Sequence, residues 1–350
     1  MKKDRNLRSV NTDGGVNLQF KLLSAIGIII IVSGHCYHGG MELAYNWFPP
    51  YSYNLALFVF ISGYFYKTDY EENVGKYIWK RTKRLLIPAY LWNIFYGGMV
   101  AFLGLFGFTI GAKPDLYNLF VMPFVDGEAF QYNLGSWFVY PLFLVCIINV
   151  LFRKFLKLIH LDNEFIVLIV YLAIGMIGIN TAIENQTAIN GIVKLLVRTM
   201  FFLPCYEFGR FYKAVLEKKD TLNNVAYFAI IFAVQLILLT FCKDLEYTPS
   251  SFTKFNNGFI IPYISSITAI AFWLRVSRLL VPAIGNSKLV RLIADNTYGI
   301  MVNQLVGFMC LKFVFYGLSR ITSGALFGDF NVASFKSSIS VSYTHLTLPT

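Results

Sequence analysis

The sequence predicts an all-α membrane protein, a polytopic bundle of transmembrane helices. Of its 350 residues, 56% are hydrophobic and only 14% are charged, whereas a soluble domain carries roughly 25% charged residues. Apolar segments of about 18 residues or more recur along the chain, and each is long enough to cross the ~30 Å hydrocarbon core of a bilayer as a helix. The segments are continuously apolar, without the alternation that is typical of a membrane β-barrel.

Nine apolar segments are candidate spans. They are residues 18–37, 47–66, 86–108, 136–152, 165–181, 191–211, 224–241, 259–275 and 296–316. Of the 30 Lys and Arg residues, 22 fall in the N-terminal tail, in alternate loops or at the span ends beside them. Because cytoplasmic loops carry an excess of Lys and Arg, this alternation predicts a cytoplasmic N-terminus.

The chain divides into four predicted regions. We expect residues 1–17 to be a cytoplasmic tail, 18–316 the transmembrane domain and 317–340 an extracytoplasmic segment. The last ten residues, VSYTHLTLPT, continue neither the apolar pattern nor a recognisable loop. We interpret 341–350 as a non-native tail, with the native C-terminus cut near residue 340.

Charge and cysteine content exclude several classes of protein. The net charge of +11 does not indicate a nucleic-acid partner, because the cations cluster between apolar segments. The five cysteines lie mostly in or beside apolar segments and form no CxxC pair. They are interpreted as packing residues, and no metal is expected.

Two features of the sequence suggest chemistry. The run IIIIVSGHC ends the first span in His35, about 21 Å from Lys21 along one helix. Titratable groups inside a membrane are costly and usually functional, although His35 could be only interfacial. In the segment WKRTKRLLIPAY, Arg81, Lys83 and Arg84 either bind a phosphate group, which suits guanidinium forks, or anchor the helix to lipid phosphates.

Among the polar residues within predicted spans, Arg198, Asn303 and Gln304 are candidate functional residues. Arg198 at this depth needs a partner or a water-filled cavity. The two amides could line the same cavity, or they could only link helices.

Five segments, in order, resemble the acyltransferase 3 family of membrane acyltransferases. They are Gly34-His35 at the end of the first span, LFVFISGYFYK (57–67), RxxR with RLLIP (81–88), SWF (136–138) and NTYGIM (296–301). The NLQF opening and the FISGYFYK stretch are most similar to bacterial enzymes that O-acetylate surface polysaccharides. The ten spans typical of the family imply a tenth span after the nine, lost by truncation at the C-terminus.

The resemblance implies an O-acetyltransferase of the bacterial plasma (inner) membrane. It would move an acetyl or other acyl group from cytoplasmic acetyl-CoA to a hydroxyl of a cell-surface or lipid-linked polysaccharide. His35 would be the general base, since an imidazole pKa of ~6.5 lies near working pH. The CoA phosphates would be held by Arg81, Lys83 and Arg84, and the acyl carbonyl would be polarised by Asn303, Gln304 or Arg198. Expected partners are membrane lipid, acyl-CoA and the glycan acceptor.

The chain departs from the family pattern at three positions. Ser24 stands eleven residues before His35, where the family has Arg or Lys. Lys21, one turn nearer the cytoplasm, is the candidate substitute for that cation. Asn54 and Gln304 stand where many relatives have His. A catalytically inactive relative and a membrane transporter therefore stay open as alternatives, although the paired half-repeats of many transporters are not visible.

Overall fold

The computed structural model describes residues 12–13, 16–36, 46–107, 113–185, 191–243, 245, 247 and 255–322. Most of the N-terminal tail, most of the 317–340 segment and the whole of 341–350 lie outside the described residues. The side chain of His35 also lies outside them, although its backbone belongs to the first helix.

Helices dominate the described part of the chain. They are α1 (Leu18–Cys36), α2 (Asn54–Tyr64), α3 (Val74–Arg81), α4 (Ile87–Leu105), α5 (Met122–Val125), α6 (Val139–Leu158), α7 (Glu164–Glu184), α8 (Gly191–Phe211), α9 (Asn224–Phe241), α10 (Ile261–Ile284), α11 (Lys288–Asp295) and α12 (Thr297–Ile321). Before α1, two-residue strands β1 (Thr12–Asp13) and β2 (Val16–Asn17) pair antiparallel.

Within the described residues, five helices are long and apolar enough to cross a membrane. They are Val74–Leu105, Tyr132–Leu158, Glu164–Glu184, Asn224–Phe241 and Ile261–Ile284, while Leu18–Gly34 and Asn54–Tyr64 are shorter apolar helices. The predicted all-α membrane fold is confirmed. Each of the nine predicted segments contains a helix within the described residues.

The boundaries differ most around the second and third predicted spans. α2 has only 11 residues, because Pro49-Pro50 and the 3-10 turn Pro50–Ser52 occupy the start of segment 47–66. The polar stretch 67–85 lies outside the predicted spans, but residues 74–85 are helical and continue into the third span. α3, the π-helical turn Thr82–Leu86 and α4 form one continuous helix that carries the basic residues on its first turns.

Helices α2 and α8 pack with their backbones in close contact. A Cβ atom at Gly63 would lie 1.8 Å from the carbonyl oxygen of Tyr206, and one at Gly209 would lie 1.9 Å from that of Phe60. Only glycine permits this approach, which is the use of small residues between membrane helices. Gly63 therefore has a packing role.

One end of the bundle is defined by contacts at the start of α1 and the end of α2. The ring of Phe20 stacks on that of Tyr64 at 3.8 Å, and Lys21 forms an ion pair with Asp295, immediately before α12. The start of α1, the end of α2 and the start of α12 therefore lie together.

A buried ion network joins α6, α7 and α8. Arg153 Nη2 contacts Glu207 and Glu164 carboxylate oxygens at 2.7 Å each, and Arg210 binds Glu164 at 2.8 Å. Because Glu207 follows Tyr206, which contacts Gly63, the network lies at the same end as Lys21 and Asp295. We call this end of the bundle the ionic end.

The opposite end of α1 lies against the turn that precedes α2. Tyr51 donates a hydrogen bond from its hydroxyl to the carbonyl oxygen of Gly34 at 3.2 Å. α1 therefore runs from the ionic end to the opposite end, where position 35 lies.

Candidate functional site

A cavity of about 660 Å³ lies between α1, α2, α6, α12 and the continuous helix formed by α3 and α4. The α1 wall consists of Ser24, Ile28 and Ile31, whose spacing of four and three residues places them on one face of the helix. Position 35 is four residues beyond Ile31, so the backbone of α1 carries this face one turn further.

Four cations line one part of the cavity: Lys67, Lys80, Arg81 and Arg84. We call this group the basic mouth, since Lys67, Lys80 and Arg84 are exposed at the surface. It lies toward the ionic end, because Lys67 follows the end of α2. The cavity is therefore open to an anionic ligand at that end.

Neutral side chains hold two cations of the basic mouth. Arg81 donates from Nε to the Tyr77 hydroxyl at 3.0 Å, and Lys80 donates to the Tyr70 hydroxyl at 3.3 Å. The Tyr70 and Tyr77 rings stack on each other at 4.5 Å. These contacts orient both cations without neutralising their charge.

Several buried cations elsewhere in the described chain have carboxylate partners. Arg153, Arg210, Arg275 and Lys194 each form an ion pair with Asp or Glu. Among the described residues, no carboxylate oxygen lies within 4.0 Å of any cation of the basic mouth. Their positive charge is therefore left for a ligand.

A π-helical turn shapes the basic mouth. Arg81 is the last residue of α3, and Arg84 lies within the π turn Thr82–Leu86. Both side chains line the cavity. Such turns insert an extra residue into a helix and are frequent at functional sites.

Apolar side chains line the part of the cavity farthest from the basic mouth. On each of four elements, one lining residue lies nearest the opposite end of the bundle. These residues are Ile31 on α1, Leu55 on α2, Phe138 just before α6 and Met301 on α12. We call these four residues the far wall. Position 35 follows the far wall by one turn of α1.

The model of the acyltransferase 3 family, described as an acyltransferase domain, matches residues 17–328. The chain belongs to the acyltransferase 3 family. Comparison with curated proteins and with solved structures gives no match. The resemblance carried by the five sequence motifs is therefore confirmed, and it extends over most of the chain.

The predicted phosphate-binding residues of the acyltransferase do not all face the cavity. Arg81 and Arg84 line it. Lys83 instead lies with its Nζ 5.1 Å from the ring centre of Trp79, and Trp79 is 55% exposed. Lys67 and Lys80 complete the basic mouth in its place.

Lys21 was the candidate substitute for the family cation. Its ammonium group contacts Asp295 at the ionic end, and the cavity lining contains Ser24 rather than Lys21. Ser24 donates its hydroxyl proton to the Phe20 carbonyl oxygen at 2.8 Å. The cavity wall is therefore uncharged at the position where relatives carry Arg or Lys.

The three polar residues of the predicted spans have different surroundings. Arg198 lies 4.4 Å over the ring of Trp137 and donates to the Gly127 carbonyl oxygen, so it links α8 to the segment before α6. Asn303 accepts a hydrogen bond from the Tyr96 hydroxyl at 2.8 Å. Both residues thus make contacts between elements and are absent from the cavity lining.

Gln304 is also absent from the cavity lining, but its hydrogen bonding differs from that of Asn303. It is 9% exposed and lies three residues, one helical turn, beyond Met301 of the far wall. Its Oε1 atom has no hydrogen-bond partner among the described residues. A buried polar atom without a partner is rare, so of these three residues Gln304 is the best placed to meet a ligand.

A buried hydrogen-bond chain joins two of the family motifs at the cavity. Ser136 of SWF donates to Asn133 Oδ1 at 2.5 Å, and Asn133 donates to Asn93 Oδ1 at 2.6 Å. The Ser136 hydroxyl lies 3.5 Å from that of Tyr298 of NTYGIM, which lines the cavity. The chain fixes the start of α6 against α4 and α12.

Sequence reasoning missed Lys67, Lys80, Tyr70 and Tyr77. Lys80 flanks the arginine pair in the sequence and Lys67 ends the FISGYFYK stretch, but neither was assigned to the phosphate site. A signal was present for Tyr77, which is four residues before Arg81 and therefore on the same helical face. Nothing in the sequence pairs Tyr70 with Lys80, because a turn between α2 and α3 brings them together.

Proposed function

We propose that this membrane acyltransferase transfers an acyl group, expected to be acetyl, from cytoplasmic acyl-CoA to a hydroxyl group of a cell-surface or lipid-linked polysaccharide. The observation that carries the proposal is a cavity with four cations free of carboxylate partners at one end and position 35 beyond its other end. The acceptor class rests on the likeness of the FISGYFYK stretch to polysaccharide O-acetyltransferases.

The shape and charge of an acyl-CoA fit this cavity. Its phosphates lie at one end, its thioester at the other, and a thin uncharged arm joins them. The basic mouth would bind the phosphates by charge-assisted hydrogen bonds, and Arg81 and Arg84 offer guanidinium forks for them. The apolar walls would hold the arm, and the cavity volume lies within the usual range of ligand pockets, roughly 300–1,000 Å³.

The proposed chemistry takes place at the far wall, beside position 35. The imidazole of His35 accepts the proton of the acceptor hydroxyl as its oxygen attacks the thioester carbonyl carbon. The carbon–sulfur bond then breaks, the ester forms, and the CoA thiolate takes the proton back from the imidazolium. The side-chain amide of Gln304 is proposed to donate a hydrogen bond to the carbonyl oxygen while it carries negative charge.

The proposed orientation places the ionic end and the basic mouth in the bacterial cytoplasm. The alternation of Lys and Arg along the chain supports it, because the residues of the basic mouth belong to the group expected inside. Acyl-CoA is made in the cytoplasm, so the donor would enter at the mouth. The acceptor would reach position 35 from the outer side of the plasma membrane.

Membrane vesicles containing the protein test the proposal. Acetyl-CoA labelled in the acetyl group is supplied on the cytoplasmic side, and label is measured in the glycan and lipid-linked glycan fractions. We expect label to transfer with the wild-type chain and not with His35→Ala, with both inserted equally. Donor binding without transfer would support an inactive relative, and glycan movement without any need for acyl-CoA would support a transporter.

A further inference from the structure

Charge is distributed unevenly along the cavity. Its charged lining residues all belong to the basic mouth, whereas Ile28, Ile31, Leu55, Phe138, Leu142 and Met301 line the rest of its length together with other uncharged side chains. A ligand whose phosphates occupy the mouth would place its opposite end among apolar side chains.

The far wall offers no compensation for a negative charge. Its four residues, Ile31, Leu55, Phe138 and Met301, carry no hydrogen-bond donor on their side chains. Gln304, one turn beyond Met301 on α12, is uncharged, and Ser24 already donates its proton to Phe20. A carboxylate at this position would lose its hydration without gaining an ion pair.

The sequence beyond position 35 adds no cation. Residues 37–45, YHGGMELAY, contain Glu42 and no Lys or Arg. Arg198, a cation of α8, does not line the cavity. Neither α1 beyond the far wall nor Arg198 therefore supplies the positive charge that an acidic acyl group would need.

We propose that the far wall restricts the transferred group to uncharged acyl groups, such as acetyl and propionyl, and excludes dicarboxylic acyl groups such as succinyl. This inference rests on the proposed acyl-CoA-dependent function. The basic mouth binds the CoA part of every donor alike, and the far wall distinguishes donors by the terminal group. Met301 and Ile31 are specificity-determining residues for this reaction.

A comparison of donors tests the inference directly. Acetyl-CoA, propionyl-CoA and succinyl-CoA, each labelled in the acyl group, are supplied to the same vesicles, and kcat/KM is measured for each. We expect acetyl-CoA to exceed succinyl-CoA by about 100-fold or more, since an unpaired buried charge is strongly disfavoured. Succinyl transfer within about threefold of acetyl transfer would overturn the inference and leave the acyltransferase function intact.

A second measurement does not depend on turnover. Purified protein is heated with CoA, acetyl-CoA or succinyl-CoA, and the shift in Tm is compared. Acetyl-CoA should stabilise the protein at least as much as CoA, and succinyl-CoA less than acetyl-CoA. Equal stabilisation by all three would place the acyl group outside the far wall and overturn the inference. No stabilisation and no transfer with any donor would overturn both the inference and the proposed function.

The substitution Met301→Lys adds the missing charge. Lysine is unbranched and close to methionine in length, so we expect the ratio of succinyl to acetyl transfer to rise about tenfold or more. The matched substitution Met301→Leu keeps the wall apolar and should leave this ratio at the wild-type value. An unchanged ratio in a Met301→Lys variant that folds and transfers acetyl groups would contradict the assignment of Met301.

Discussion

Arg81 donates a hydrogen bond from Nε to the hydroxyl of Tyr77 at 3.0 Å, and its guanidinium carbon lies 5.1 Å from the centre of the same ring. Tyr77 precedes Arg81 by one turn of α3. The contact uses one nitrogen of the guanidinium and fixes its position, while the terminal nitrogens have no carboxylate partner among the described residues. An arginine held in this way keeps its charge for an anion.

The phosphate role of the basic mouth can be tested with Arg81→Gln and Arg84→Gln. Each substitution removes charge-assisted hydrogen bonds of about 1.5–3 kcal/mol, so KM for acyl-CoA should rise about 10- to 100-fold, with little change in KM for the acceptor. The control is Lys83→Gln, because Lys83 lies over Trp79 outside the cavity. An equal effect of all three substitutions would show only a general dependence on positive charge.

Contact between the far wall and the acyl group can be tested with Ile31→Ala. The substitution removes three carbon atoms from the cavity wall next to position 35. The kcat/KM for butyryl-CoA should therefore rise about tenfold relative to that for acetyl-CoA, which is the usual effect of one or two methylene groups in a pocket. Ile29→Ala is the matched control, since Ile29 is 45% exposed on the other side of α1. The Ile29→Ala control should keep the wild-type ratio of butyryl to acetyl transfer. A similar rise of this ratio in Ile29→Ala would contradict a specific contact between Ile31 and the acyl group.

Much of the fold could be predicted because it depends on local properties of the sequence. Hydrophobic length located the helices, and the family motifs identified Arg81, Arg84 and position 35 as the residues to examine. The short α2 and the continuous helix through residue 86 could not be predicted from hydropathy. A hydropathy average passes over Pro49-Pro50, and it ends a span at charged residues even where the helix continues.

The environment of each polar residue depended on tertiary contacts that the sequence does not reveal. Lys21 was expected to replace a missing cation, but Asp295, 274 residues away, pairs with it. Lys83 lies between Arg81 and Arg84 in the sequence, yet its side chain packs on Trp79 outside the cavity that the two arginines line. The same reasoning could not separate Asn303 from its neighbour Gln304, since only the position of Tyr96 shows which amide is satisfied.

The buried ion network should contribute strongly to stability. Arg153 and Glu207 both have side chains that are 0% exposed, and removal of one member leaves the other charged and unpaired. We expect Arg153→Met to lower the free energy of unfolding by about 3–5 kcal/mol, measured as a loss of Tm in detergent.

The double variant Arg153→Met with Glu207→Leu is the control for this loss. The double variant removes both charges of the fully buried pair, Arg153 and Glu207. It should recover part of the stability that Arg153→Met loses, since two apolar groups of similar volume pack without a desolvation cost. A double variant less stable than the sum of the single substitutions would show that the acidic side chain is needed for another contact.

Glu71 should make stability depend on pH. This carboxyl group, in the turn Thr68–Glu71, is 3% exposed and accepts a hydrogen bond from the Tyr66 hydroxyl at 3.2 Å. Burial, with the negative charge of Asp162, raises its pKa from the ordinary value of 4.5. The folded state therefore holds this proton more tightly than the unfolded state, and ionisation costs stability as the pH rises above 4.5.

The substitution Glu71→Gln isolates that effect. The amide keeps an oxygen to accept the Tyr66 hydrogen bond but does not ionise. We expect the variant to be more stable than the wild-type protein near neutral pH, with the gain disappearing below about pH 4. Measurement of Tm over this pH range checks it, and a gain that does not vary with pH would contradict the role of ionisation.

The most direct test of the catalytic proposal is the rate of acyl transfer by His35→Ala compared with its affinity for the donor. If His35 is the base beyond the far wall, transfer from labelled acetyl-CoA should fall by about 100-fold or more, while acetyl-CoA still raises Tm as it does for the wild-type protein, because the basic mouth is intact. Undiminished transfer by a correctly inserted His35→Ala variant would contradict the central claim.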